Sequence, residues 1–163
     1  MAVSEIIGAA VGVILLVIVA YVVVGSTLFA AETMANTQKD INLLQEARLR
    51  TALSLTDLVN STSQPYIVYA NITNTGTEII SDFKHMDVLV YDNEDGVYEV
   101  CTYDQDLDTR GYWKITDYYG EFIHPNELDP GEVYQIQITT VAEVPKWFQI
   151  TTANGVSASG FKK

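Results

Sequence analysis

The sequence predicts an α+β protein in which one long hydrophobic helix at the N-terminus precedes an all-β sandwich. Residues 6–31 contain no charged side chain, whereas 16 of the 21 carboxylates lie within residues 66–163. From residue 66 onward, short runs of β-branched and aromatic residues alternate with turn formers, which is typical of strands. A chain of 163 residues has room for one ordinary domain and one segment of another kind.

The first element is the hydrophobic helix, assigned to residues 1–31. Residues 6–24 read IIGAAVGVILLVIVAYVVV and hold neither a charge nor a proline. At about 1.5 Å per residue, this run is long enough to cross a bilayer core of roughly 30 Å. No Lys or Arg precedes it, so we expect a retained segment rather than a removed signal peptide.

The second element is an amphipathic helix over residues 32–60 that continues the first. Apolar residues recur there at spacings of three or four, with charged residues between them. This set includes Met34, Ile41, Leu44, Ala52, Leu55 and Val59. Glu46 and Arg50 stand at i and i+4 in the favourable order. Turn formers and a proline at residues 61–65 predict a linker after Asn60.

Such a helix is longer than a membrane requires. Over residues 4–59 it would measure on the order of 80 Å, with roughly 50 Å beyond the hydrocarbon. Its apolar stripe needs a copy of itself or a companion protein, unless residues 32–59 fold back as a core helix. A GxxxG pair would also let two helices approach closely. The residues predicted to mediate self-association are Gly8, Gly12, Met34, Ile41, Leu44 and Leu55.

The third element is a β-sandwich over residues 66–163. Its clearest strand is residues 134–138, Tyr-Gln-Ile-Gln-Ile, whose alternation predicts one buried face and one exposed face. Further strands are predicted at 66–73, 86–91, 97–103, 112–117 and 147–151. Six or seven strands at this spacing favour an immunoglobulin-like sandwich. Trp113, Trp147 and Phe148 are expected to be core or inter-sheet residues.

The charge balance excludes some partners. The formal net charge of -12 is carried mainly by the C-terminal part. An acidic surface repels phosphate backbones, so we expect no nucleic-acid partner. The single cysteine, Cys101, cannot form an intramolecular disulfide and is expected to be a small buried residue.

The sequence shows no pattern of catalytic residues. His85 and His124 are the two imidazole bases, and neither lies in a recognisable motif. No phosphate-binding loop or dinucleotide fingerprint occurs. We therefore predict a protein that is not an enzyme, with no cofactor and no small-molecule substrate.

An acidic loop supplies weak candidates for a metal site. Asp104, Asp106 and Asp108 alternate as the oxygen ligands of a calcium loop do. Thr109 and Ile115 stand where an EF-hand has its turn glycine and its bidentate glutamate. We therefore expect a solvated acidic loop rather than a calcium site.

Two sequons favour a domain that faces outward. Asn60-Ser-Thr and Asn71-Ile-Thr are potential N-glycosylation sites near the end of the predicted helix. The positive-inside rule decides little, because basic residues are absent before the helix and Lys39, Arg48 and Arg50 follow it. Long domains translocate largely regardless of charge.

Several segments of the β-domain form a recognisable series when they are taken together with the helix. They are Ile72–Gly76, Met86–Val90, Trp113, Leu128–Glu132 and Phe148–Val156. With these segments, the chain resembles the archaeal type IV pilin-like superfamily, and within it the archaellum accessory proteins F and G.

The resemblance implies a static, stator-like complex around the motor of the archaellum, the archaeal motility filament. The chain would be a single-pass protein of the cell membrane, inserted through residues 6–24, with its C-terminal domain outside in the pseudo-periplasm. Its partners would be S-layer protein, archaellum accessory proteins and further copies of itself.

Two alternatives remain at this point. Archaellins are made with a short basic leader, and none precedes residue 6 in this sequence. If residue 1 is a processed N-terminus, Glu5 stands where type IV pilins keep a glutamate, and the helix belongs in a filament core. Otherwise Glu5 is a residue at the level of the headgroups. The other alternative is a cell-surface sandwich that binds a ligand or calcium.

Overall fold

The computed structural model describes residues 2–94, 96–120, 123–142 and 145–162, except for the side chains of Ala2, Ser4 and Glu5. Within these residues, helix α1 (Ala2–Arg50) is followed by eight strands and one short 3-10 helix at Phe83–His85. The strands are β1 (Leu53–Asn60), β2 (Ile67–Asn74), β3 (Asp87–Asp92), β4 (Tyr98–Tyr103), β5 (Tyr112–Tyr119), β6 (Val133–Thr139), β7 (Pro145–Thr151) and β8 (Ser157–Phe161). The chain forms two compact units, Met1–Leu44 and Gln45–Lys163.

The predicted α+β class is confirmed, and all six strands predicted from the sequence are present. The strands form one sheet in the order β1-β2-β6-β5-β4-β3-β7-β8. Neighbouring strands are antiparallel except for β4 and β5, which are parallel. The two outer strands also meet, since a Cβ at Gly160 of β8 would lie 2.7 Å from Leu58 Cδ1 of β1. The sheet therefore folds over on itself into a sandwich.

The prediction that the helix extends to residue 60 is wrong. Helix α1 ends at Arg50, and residues 53–60 form β1. A bulge in β1 around Asp57, which has φ 53°, places Leu55 and Leu58 in the core. The extra residue of the bulge produces a spacing of three between buried leucines, which imitates a helical period. The predicted linker consequently joins two strands.

The core lies between the two halves of the folded sheet. In β2, Val68, Ala70 and Ile72 are buried in alternation, and they pair directly with Ile138, Ile136 and Tyr134 of β6. Alternation of this kind is what a strand with one buried face requires. The other half contributes the buried residues Val88, Val90, Cys101, Phe148 and Ile150.

The three expected core aromatics divide into two groups. Trp113 and Phe148 are buried as predicted, and the Trp113 indole Nε1–H donates to the Met86 carbonyl at 3.2 Å. Trp147 is only half-buried and lies on the opposite side of β7 from Phe148. Its assignment to the core is wrong because successive residues of a strand point to opposite faces.

The loop after β2 holds the end of α1 against the sheet. The Arg50 carbonyl accepts hydrogen bonds from the backbone N–H groups of Thr77 and Glu78, at 2.8 and 3.3 Å. The Ala52 carbonyl accepts from Thr75 and Gly76, at 3.0 and 3.1 Å. Carbonyls left without intrahelical partners at a helix end are thus satisfied by the loop.

Candidate assembly surfaces

The N-terminal part of α1 is the first candidate surface. Residues 6–24 are apolar on every side of the helix, and Ile6 and Leu16 are 69% and 70% exposed. The helix is long and apolar enough to cross a membrane, and its most apolar window has a mean hydropathy of 3.0. A helix that is apolar all round requires lipid or other apolar helices around it.

Most of the residues predicted for self-association lie on this helix. Gly8 and Gly12 have open space around their Cα atoms, and Met34, Ile41 and Leu44 are exposed. Leu55 is the exception, since β1 buries it to 7% exposure. Its prediction as a helix contact is therefore wrong, whereas the contacts of the other five stay predictions. The side chain of Glu5 lies outside the described residues.

A second candidate surface lies on the outer side of β4, β3, β7 and β8. We name it the aromatic face and define it by its six apolar residues. They are Leu89, Tyr91, Tyr98, Val100, Trp147 and Phe161. The strand register places four of them in one row across the strands, in the order Tyr98, Tyr91, Trp147, Phe161.

The aromatic face is accessible to a partner. Tyr98, Val100 and Phe161 are 61%, 54% and 74% exposed. The ring centroids of Tyr91 and Tyr98 are 4.9 Å apart, and Tyr98 meets Trp147 edge-on at 6.3 Å. Contiguous exposed apolar surface of this kind marks interaction sites on soluble domains.

The two histidines do not form a catalytic arrangement with a nucleophile in the described part of the chain. His85 Nδ1 lies 2.8 Å from Asp82, on an exposed turn. His124 Nδ1 lies 3.0 Å from Asp129 Oδ1, and this hydrogen bond raises the pKa of His124 above its ordinary value. Each imidazole is therefore paired with a carboxylate of its own loop.

The acidic loop is organised by protein partners. Asp104 Oδ1 accepts the backbone N–H groups of Asp106 and Leu107, at 3.0 and 3.2 Å. Asp108 pairs with Lys114 at 3.2 Å, and this hydrogen bond holds the pKa of Asp108 below its ordinary value. Among the described residues, no three His, Cys, Asp or Glu side chains converge as metal ligands would.

The two sequons differ in accessibility. Asn60 is exposed at the end of β1. Asn71 is half-buried on β2, and its amide donates to Asp57 Oδ2 at 3.1 Å. Glycosylation at either position stays a prediction, and the geometry favours Asn60.

Cys101 is buried in β4, as its sequence context predicts. Burial raises the pKa of its thiol, and so does the nearby Glu99 carboxylate, which accepts a hydrogen bond from Sγ at 3.6 Å. A protonated, buried thiol is inert toward oxidants and electrophiles.

The aromatic face cannot be recognised from the sequence alone. Its members are spread over four segments of the sequence and alternate with core residues such as Val90 and Phe148. The alternation shows that a strand has two faces, but not which strands are neighbours. Only the register of β4, β3, β7 and β8 brings the row together.

Comparisons with known proteins agree with this architecture. A family model described as archaeal-type flagellin matches residues 2–160. The archaellum periplasmic stator protein FlaG from Sulfolobus acidocaldarius is similar at a TM-score of 0.51 and 26% identity, over 68% of this chain and 97% of that chain. A complex of the stator proteins FlaF and FlaG from the same organism matches at 0.49 and 24% identity, over 66% and 85%. No match was found among curated proteins.

Proposed function

This chain belongs to the archaeal-type flagellin family and is a structural component of the archaellum, and we propose that it acts there as a stator-like membrane anchor. In this role, α1 fixes the chain in the membrane and the β-domain contacts other proteins outside the cell. The chain would resist the torque of the motor rather than catalyse a reaction.

The likeness to FlaG carries this proposal. Nearly the whole of that periplasmic stator protein, 97% of its chain, is covered at 26% identity. The exposed apolar surface of residues 6–24 supports insertion in lipid, because such a surface is not stable in water. Both features belong to a protein with one part in the membrane and one part in solvent.

The sidedness of the β-domain is part of the proposal. An exposed sequon at Asn60 and a strongly acidic sequence both suit a domain outside the membrane. The proposed partners are archaellum accessory proteins, S-layer protein and further copies of the chain. The S-layer contact rests on the resemblance to the accessory proteins F and G.

We also infer that the protein is not an enzyme. The family is one of structural proteins, and FlaG is named as a stator protein.

A filament subunit is the second candidate function. The family model is that of a flagellin and matches residues 2–160, which includes the whole of α1. A helix that is apolar on all sides fits the interior of a helical filament as well as it fits lipid.

Fractionation of the native protein separates the two functions. The stator-like role predicts that the chain stays in membranes after shearing and is released by detergent. Enrichment of the chain in sheared extracellular filaments would overturn that role and support a filament subunit. Mass spectrometry of the purified native chain identifies its first residue. A processed N-terminus would favour the filament-subunit function.

A matched pair of variants tests the anchor. Leu16→Asp places a charge within the apolar run and should lower membrane retention, because a carboxylate at a bilayer centre costs about 3 kcal/mol. Leu49→Asp is the control, since Leu49 is 87% exposed but lies beyond the apolar run. Equal retention of the two variants would contradict anchoring through residues 6–24.

A further inference from the structure

Strand β4 has an open stretch on the edge that faces away from β3. The Asp92 backbone N–H donates to the Val97 carbonyl at 3.1 Å, so the hydrogen-bonded pairs of β3 and β4 fall on every second residue from there. The backbone groups of Tyr98 and Val100 therefore point away from β3. On that side, β5 pairs only with the last two residues of β4. We name residues 98–100 the open edge.

The open edge is without a strand partner in the part of the chain that the structure describes. No backbone hydrogen bond reaches Tyr98 or Val100 from this side among those residues. The two side chains are 61% and 54% exposed, so this part of β4 lies at the surface of the sandwich. An exposed edge with unpaired N–H and C=O groups is a template for pairing with another extended segment.

The edge of β5 shows how such groups are satisfied when no partner is needed. The side-chain amide of Gln105 donates to the Ile115 carbonyl at 2.8 Å. The Gln105 Oε1 accepts the Ile115 backbone N–H at 3.2 Å. One side chain thus takes the place of a paired strand at β5, whereas the open edge of β4 has no comparable cover among the described residues.

A hollow of about 700 Å³ lies beside the open edge. Its lining includes Tyr98 and Glu99 of β4 and, from the segment after β6, Val141 and Ala142. Glu99 accepts the backbone N–H groups of Val141 and Ala142 at 2.8 and 3.2 Å, which fixes this segment opposite β4. The volume falls within the range of binding pockets, about 300–1,000 Å³. The hollow therefore offers room for a further segment of chain next to the open edge.

The hollow combines acidic and apolar groups. Asp92, Glu94 and Glu99 belong to its lining, together with the exposed side chains of Val97 and Val141. Among the residues that the structure describes, no Lys or Arg forms an ion pair with Glu94 or Glu99. The described carboxylates also do not converge as metal ligands would. The lining is therefore complementary to an ammonium or guanidinium group on a partly apolar segment.

From the open edge and the acidic hollow together, we propose that β4 binds an extended segment of another protein in which apolar and basic residues alternate. The segment adds to the sheet through main-chain hydrogen bonds to Tyr98 and Val100, which is β-augmentation. Successive side chains of a strand point to opposite faces. The apolar set lies beside Tyr98 and Val100 on the outer side, and the basic set lies beside Glu99 and enters the hollow.

The charge of the chain favours a different protein over a second copy as the occupant. Residues 66–163 carry 16 carboxylates and 6 basic residues, so two copies of the β-domain repel each other. Lys114 and Lys146 have apolar neighbours in the sequence, but they already lie in the strands β5 and β7. The inference goes beyond the proposed function, because it concerns the β-domain alone and applies to an anchor and to a filament subunit alike.

Hydrogen exchange of the full-length chain in nanodiscs of phosphatidylcholine, which has no net charge, tests the proposal. The probe is a capped peptide of sequence Thr-Val-Lys-Val-Lys-Val-Thr. It should slow the exchange of the Tyr98 and Val100 amides about tenfold, because these N–H groups become bonded. The matched peptide with Glu in place of Lys should leave the exchange unchanged, since the acidic hollow repels it.

A proline variant tests the main-chain pairing. Val100→Pro removes the N–H group of the open edge but no bond to β3, and proline is tolerated on an edge strand at such a position. It should weaken binding of the fluorescein-labelled basic peptide about tenfold, measured by fluorescence anisotropy. Val100→Ala keeps the N–H group and is the matched control, with a change of less than about threefold. Circular dichroism checks that both variants fold.

A charge variant tests the hollow. Glu94→Gln should weaken binding of the basic peptide severalfold, because it removes one of the carboxylates that face the Lys side chains. Asp106→Asn removes a carboxylate from the exposed acidic loop, outside the hollow, and should leave the affinity unchanged. The two variants change the net charge equally, so the comparison separates the hollow from the overall field of the chain.

Exchange at Tyr98 and Val100 that the basic peptide leaves unchanged would overturn the inference, and so would equal effects of the basic and acidic peptides. Equal affinities of Val100→Pro and Val100→Ala would overturn it too. Protection of the two amides that rises with the density of the chain, without peptide, would show that a second copy occupies the open edge instead. Membrane retention of Val100→Pro should match the wild type, so the proposed function and this inference can fail independently.

Discussion

The indole of Trp113 is central to the β-domain at the residue scale. It is 1% exposed, its ring lies 4.9 Å from that of Tyr103, and its Nε1–H donates to the Met86 carbonyl. Met86 is itself completely buried just before β3. The Trp113 side chain thus fills part of the core. Its hydrogen bond also satisfies the buried Met86 carbonyl and links β5 to the start of β3.

Trp113→Ala should lower the free energy of unfolding by about 3–5 kcal/mol, because it leaves a cavity and an unsatisfied carbonyl. Chemical denaturation followed by tryptophan fluorescence measures this loss. Trp147→Ala is the matched control, and its half-buried ring should cost only about 1 kcal/mol. Equal losses for the two variants would contradict the placement of the two indoles.

A second residue-scale effect involves His124. Hydrogen bonding to Asp129 raises the pKa of His124 from its usual value of 6.5. A group with a raised folded pKa contributes stability that is present below pH 6.5 and is lost as the pH rises through the folded value. The wild type should therefore exceed His124→Gln in melting temperature at about pH 5.5, and this advantage should shrink near pH 9.

The measurement is the melting temperature of the wild type and of His124→Gln across that pH range. Subtracting one melting temperature from the other at each pH cancels the effects of the titratable groups that the two proteins share. An advantage of the wild type that grows toward high pH would show the opposite linkage. It would contradict an interaction between the protonated imidazole and Asp129.

At the element scale, the end of α1 depends on the loop after β2. Asn74 is completely buried, and its amide donates to the carbonyls of Glu78 and Leu128, at 2.7 and 2.9 Å. Its Oδ1 accepts the Gly76 backbone N–H at 3.0 Å. These hydrogen bonds fix the loop, and its backbone N–H groups at Thr77 and Glu78 donate to the Arg50 carbonyl at the end of the helix.

Gly76→Ala should lower the free energy of unfolding by about 3 kcal/mol, since overpacking against backbone cannot be relieved by a side-chain rotation. A Cβ at this position would overlap the Arg50 carbonyl oxygen and lie 2.5 Å from the Ala52 nitrogen. Urea denaturation is the measurement, and Thr75→Ala in the same loop should stay within about 0.5 kcal/mol of wild type. If Gly76→Ala left the free energy of unfolding unchanged, the close packing of Gly76 against Arg50 and Ala52 would not be what holds the helix end.

At the scale of the whole molecule, the two compact units have different environments. In the first unit, residues 2–44 form a mostly apolar helix whose described side chains are all exposed, whereas Gln45–Lys163 contains a hydrophobic core. The last helical turns belong to the second unit, where Arg48 donates to the Gly155 carbonyl at 3.1 Å. Arg50 also lies 3.5 Å from Glu78.

A fragment of residues 45–163 should therefore fold by itself and melt cooperatively in water without detergent. A fragment of residues 53–163 is the matched control and should melt at a lower temperature, because it lacks the contacts of the helix end. Calorimetry measures both transitions. A fragment 45–163 without a cooperative transition would show that the β-domain needs the rest of α1.

The family resemblance, the hydrophobic helix and six of the strands could be predicted because they depend on local features. An unbroken apolar run, a period of two and turn formers lie within a few residues of each other. The resemblance was carried by segments such as Leu128–Glu132, which follow one another in the sequence.

The end of α1, the strands β1 and β8, and the aromatic face were decided only by the tertiary structure. A bulge at Asp57 gives β1 a helical spacing, and Ser157–Phe161 has few strand-forming residues of its own. Contacts between residues far apart in sequence stabilise both strands, and no local window contains those contacts. For the same reason, the sequence predicted a partner for the chain, while the exposed aromatic face became visible only through the register of four strands.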